Sequence, residues 1–101
     1  MAATKRFQRC AGPRDMLYFR TPSLWPQYPY LPVVRRPYGQ TDEELGLLYD
    51  ARGVSGKFGY SSTVFLVNMF EIPSTEAEFL DLPKHVHDTF EELAAAGWTV
   101  D

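Results

Sequence analysis

Cysteine is nearly absent: Cys10 is the single thiol in 101 residues. One thiol cannot form an intramolecular disulfide framework, so the fold must stand on its core. Such usage points to a reducing compartment, and a cytoplasmic location is the expectation. Long apolar runs are lacking as well. None exceeds four residues, as in Val64-Phe65-Leu66-Val67, whereas a membrane helix needs about 20. No membrane partner is therefore expected. The opening MAATKRFQRCAGPR is basic but has no apolar segment, which argues against a secretory signal.

The motifs of common enzymes are missing too. No G-x-S-x-G, H-E-x-x-H or glycine-rich dinucleotide fingerprint occurs. Gly53-Val54-Ser55-Gly56-Lys57 has two residues between its glycines and Phe58 after the lysine. A phosphate-binding P-loop needs four residues there and a Ser or Thr after the lysine. A hairpin loop explains these glycines more simply. Cys10 and Arg14 stand too close together for a phosphatase-type loop, and no histidine lies near Cys10 to serve as its base. His85 and His87, followed by Asp88, share a possible strand face but lack the third and fourth ligands of a zinc site. The acidic runs Asp42/Glu43/Glu44 and Glu91/Glu92 fall where the first turns of helices favour negative charge. The expectation is a chain with no catalytic residues, no metal and no cofactor.

What the chain does have is proline and aromatic side chains in one place. Five of its eight prolines lie between Thr21 and Gly39, with Trp25, Tyr28, Tyr30 and Tyr38 among them. Proline fixes φ and has no amide donor, and the residue before it is pushed to extended geometry. This stretch cannot be a helix, nor pair along its whole length inside a sheet. It is either a strap laid over the core or an exposed aromatic surface. Leu31 to Arg36 fits an edge strand within it.

Charge is uneven. Residues 1–40 carry seven bases and one acid; residues 41–101 carry three bases and twelve acids. Such asymmetry marks either a nucleic-acid-binding arm or two halves that neutralise each other on packing.

Elements follow from local pattern. Residues 1–13 read as a flexible basic arm and residues 14–101 as a single domain. Asp15 to Arg20 suggests a short strand. Residues 41–52 are ambiguous: Thr41 and Glu44 match a capping box, whereas Leu47, Tyr49 and Ala51 alternate. A helical turn followed by a strand from Gly46 to Arg52 is the favoured reading. Tyr60 to Phe70 is the clearest strand and the candidate centre of the sheet. Thr75 with Glu78 opens a short helix. Asp88 with Glu91, or Thr89 with Glu92, opens the last one, and Gly97 ends it in a left-handed turn.

These readings give an α+β fold: a small antiparallel sheet of three or four strands, a proline-rich strap along one edge, and a C-terminal helix packed on one face. The expected function is a small non-catalytic binding module. Its partner is a protein or a second copy of itself, with nucleic acid as the alternative. The candidate binding residues are Trp25, Tyr28, Tyr30, Arg35 and Arg36, types that dominate interfaces and stack on bases.

Overall fold

A computed structural model describes residues 12–36 and 42–101. Among these residues the chain is α+β, with one antiparallel sheet of five strands and four short helices. The flexible arm expected over residues 1–13 falls mainly outside them. Gly12 and Pro13 are described, and they open a helix, α1 (Pro13–Arg20). This corrects the strand expected over Asp15 to Arg20. Proline is well placed in a first turn, where its missing donor has no partner to lose. Asp15 then accepts a hydrogen bond from the Gly12 amide at 2.9 Å. Met16 and Phe19, three apart, turn to the core, while Leu17 stays exposed.

After a 3-10 turn at Pro22–Leu24 the chain enters β1 (Tyr30–Arg35), then β2 (Glu44–Tyr49). α2 (Ala51–Ser55) leads to β3 (Val64–Phe65), and α3 (Glu76–Leu80) to β4 (Lys84–His85). α4 (Phe90–Ala95) and β5 (Thr99–Val100) complete it. The spatial order is β4-β3-β2-β1-β5.

Three expectations change here. The proline-bearing strand is not at the edge: β1 pairs with β2 on one side and β5 on the other. Pro32 is tolerated because it faces β5 where that strand runs out, and its carbonyl accepts from the Asp101 amide at 3.1 Å. The missing donor thus falls beyond the last paired residue of β5. The central strand is β2, not Tyr60 to Phe70, of which only Val64–Phe65 pairs. Finally, β2 begins at Glu44 and ends at Tyr49, so the strand lies earlier than expected and a helix follows it. Glu44 pairs with Arg35 across the sheet, and does not sit in a helical first turn. The other half of that capping box, Thr41, lies outside the described residues. Gly46 permits the close packing of β2. A Cβ there would lie 2.3 Å from Val64 Cγ1.

The local signals near the C-terminus agree with the structure. Thr75 caps α3 by accepting from the Glu78 amide, and Thr89 caps α4 by accepting from the Glu92 amide. Gly97 has φ 96°, a region that favours glycine. The chain then reverses and buries Trp98 fully.

Both faces of the sheet are covered. On one, Leu31, Val33, Leu48 and Val64 pack with Phe19, Trp25, Leu93 and Trp98. On the other, Leu47, Tyr49 and Phe65 pack with Phe79 of α3. The outer edge of β5 is closed by a side chain: Asp15 accepts from the Val100 amide at 2.9 Å.

Candidate functional site

The five candidate binding residues do not form one surface. Trp25 is only 6% exposed and joins the core. Its indole Nε1 donates to the Tyr18 carbonyl at 2.7 Å. This satisfies the ring's one polar atom and seals the strap to α1. Tyr30 points to the opposite face, with its ring 5.3 Å from Tyr49 and 5.4 Å from Phe79. Tyr28, between them, is 48% exposed.

Arg35 and Arg36 lie at the far end of β1 and are engaged. Arg35 donates through Nε to Glu44 at 2.9 Å and lies 4.9 Å over the Trp98 ring. Arg36 pairs with Glu43 at 3.3 Å. Arg20, at the end of α1, pairs with Glu91.

Tyr28 is exposed but held. Its hydroxyl donates to Asp50 Oδ2 at 2.8 Å, while Asp50 Oδ1 accepts from the Gly53 amide at 3.1 Å. Asp50 is the cap of α2, so one carboxylate both starts that helix and fixes the strap tyrosine. The hydrogen bond to Asp50 raises the Tyr28 phenol above its ordinary range. Gly53 makes room: a Cβ there would lie 2.2 Å from Asp50 Oδ2 and 2.6 Å from the Tyr28 hydroxyl.

Beside this contact runs a cleft. A hollow of about 150 Å³ within it is lined by Asp50, Arg52 and Ser61 together with Phe90 and the edges of the buried Phe19 and Trp25. It opens past Arg20 and Pro22 onto a shelf bearing Thr21, Ser23 and Tyr28. The exposed Val54 and Phe58 are near in sequence, and Arg52 lies 5.4 Å over the Phe58 ring. Sequence reasoning found Tyr28 but missed Asp50, Arg52 and the cleft. The one local signal was Asp50 three residues before Gly53, at a helix start.

A second polar cluster was also missed. Glu76 accepts from the Tyr49 hydroxyl at 2.6 Å, Ser55 Oγ at 2.7 Å and Lys57 Nζ at 2.6 Å. These hydrogen bonds, led by Lys57, hold the Glu76 carboxyl down to about 2. Burial first, and then the bond to Glu76, pushes the Tyr49 phenol up. All three donors converge on one carboxylate, so the cluster ties α2 and β2 to α3. The glycines expected to form a simple hairpin loop instead belong to this helix and its end, although β2 and β3 are antiparallel neighbours.

His87 Nδ1 lies 3.0 Å from the Ser62 carbonyl, and Ser62 Oγ donates to the His87 carbonyl. The His85 ring is 6.3 Å from that of Trp98. Among the described residues no three His, Cys, Asp or Glu side chains gather in a metal-binding group, and no helix is long and apolar enough to cross a membrane. Cys10 lies outside the described residues. Comparison with protein-family models, curated proteins and solved structures gave no match.

Proposed function

We propose that this chain is a small non-catalytic protein-binding module whose contact surface centres on Tyr28 and the cleft beside it. The supporting observation is that Tyr28 is half exposed yet fixed by Asp50. An immobilised tyrosine loses little further entropy on binding, and tyrosine and arginine are enriched among the residues that anchor interfaces. Arg52, Val54 and Phe58 extend the same kind of surface over α2 and the residues after it.

Three of the four described bases in residues 12–36 favour a protein partner over nucleic acid. Arg20, Arg35 and Arg36 sit against Glu91, Glu44 and Glu43 from the acidic half. A polyanion would have to displace those carboxylates. The lone cysteine supports a cytoplasmic setting.

The test is capture from a lysate of the native cell with the wild-type chain and with Tyr28→Ala. A protein held by the wild type, lost with the variant and insensitive to nuclease supports the module. An identical captured set for both chains, with unchanged melting temperature, or capture abolished by nuclease, removes it. Self-association is read separately by sedimentation of the two chains.

A further inference from the structure

We propose that the groove between β2 and the turn over residues 68–71 receives an apolar side chain with a basic neighbour, presented by a protein partner. This surface is separate from the cleft beside Tyr28 and does not depend on the reading above.

Alternation along β2 puts Leu45, Leu47 and Tyr49 on one face of the sheet. Phe79 of α3 covers the Tyr49 end, with the two rings 5.0 Å apart. The other end is open: Leu45 is 51% exposed. Phe70, on the same groove, is 96% exposed. A single exposed apolar residue is ordinary, but these two border one groove of about 240 Å³ whose open lining is mostly apolar. Pro32 and Met69 complete its apolar walls. That volume is below the roughly 300 Å³ at which sites for whole small molecules begin, so the groove takes one side chain.

Phe70 is held in place. Asn68 Oδ1 accepts from the Phe70 amide at 2.8 Å, and the Glu71 amide donates to the Asn68 carbonyl at 3.1 Å. Asn68 Nδ2 donates to Glu71 Oε1 at 2.9 Å. The turn therefore presents the ring already ordered, which lowers the cost of binding. An exposed aromatic face next to a carboxylate is a seat for a guanidinium.

Charge names the occupant. Among the described residues, Asp101 is the charged residue lining the groove, Glu71 adjoins Phe70, and neither forms an ion pair. The bases are engaged elsewhere. Arg35 and Arg36 hold Glu44 and Glu43, Lys84 donates to the Leu80 and Leu82 carbonyls, and Arg14, in the next hollow along from Asp101, lies over the Tyr18 ring. A second copy meeting this patch across a two-fold axis would set Asp101 and Glu71 against their own counterparts. A basic partner meets no such repulsion.

The experiment titrates the full chain, observed by amide NMR, with N-acetyl-arginyl-leucyl-argininamide. Control peptides carry glutamates in place of the arginines, or glycine in place of the leucine. The expected result is saturable shifts at Leu45, Met69 and Phe70, with Ser61 and Phe90 in the other cleft unmoved. Each control peptide should bind about threefold or more weakly, as should the Phe70→Ala and Asp101→Asn chains. Both substitutions are at the surface, so melting temperatures should match the wild type. Asp88→Asn, an acid removed elsewhere, should bind as the wild type does. No saturable shift, equal binding by all three peptides, or undiminished binding by either groove variant overturns the proposal. A dimer in sedimentation that Phe70→Ala dissociates also overturns it, because the occupant is then a second copy.

Discussion

The Arg35 guanidinium lies 4.9 Å over the ring of Trp98 while its Nε donates to Glu44. One side chain thus joins β1 to β2 through charge and to the chain before β5 through an aromatic face. Arg35→Ala should destabilise the fold by about 1–2 kcal/mol, combining a cation–π contact with a partly exposed ion pair. Arg35→Lys should recover only part of this, since lysine has no planar fork. Urea denaturation measures both. An unchanged midpoint for Arg35→Ala would leave this side chain free for a ligand.

Trp98 offers a sharper test of the core. Its Nε1 is buried and has no hydrogen-bond partner among the described residues. Trp98→Ala should cost on the order of 3–5 kcal/mol through the cavity it leaves. Trp98→Phe should cost less than half of that, because it retains much of the ring and removes an unsatisfied donor. Equal losses for the two variants would mean that the indole N–H contributes to stability.

Gly97 holds a left-handed backbone before that tryptophan. Gly97→Ala should lower stability by about 1 kcal/mol. Thermal melts of the variant give the answer, and an unshifted melting temperature would contradict the strain argument.

The Glu76 cluster makes a pH-dependent statement. Its carboxyl is lowered from an ordinary 4.5 to about 2 in the folded chain. A depressed folded value means stability that is present above the unfolded value and lost as pH falls through the folded one. The urea midpoint should therefore decline between about pH 4.5 and 2, and Glu76→Gln should flatten the part of that decline due to this group. Parallel pH profiles for the two chains would rule the cluster out as a source of acid sensitivity.

Gly53 tests how Tyr28 is fixed. Gly53→Ala should push Asp50 and Tyr28 apart and let the Tyr28 phenol fall back toward its ordinary range, as Asp50→Asn should also do. Ring-carbon NMR titration of Tyr28 follows this directly. A phenol that titrates alike in all three chains would show that Asp50 does not hold it.

The C-terminal half was the more legible in sequence, because its signals are local. Thr75 with Glu78, Thr89 with Glu92, and Gly97 each act within a few residues of chain. α1 was misread because Gly12-Pro13 looks like a break, and only the helical spacing of Met16 and Phe19 reveals the start behind it. The interior position of β1 was hidden for another reason. It depends on a two-residue strand some 65 positions away, seen in the contact between Val34 and Thr99. β4 and β5 are too short to leave any alternation of their own. For the site, Tyr28 was legible as an aromatic among prolines. Its partner Asp50 lies 22 residues on and carries no mark of that pairing.

Asp15 accepts hydrogen bonds from both Gly12 and Val100. The second contact gives an outward-facing strand amide a partner within the same chain. Bare amides at a sheet margin are templates on which another molecule's strand can grow. A carboxylate standing there occupies the donor and sets a negative charge against any newcomer. The first helix therefore covers one donor of the last strand that another strand would otherwise use. Asp15→Ala would bare that margin as well as loosen the start of α1, so a lowered melting temperature and precipitation at high concentration should appear together.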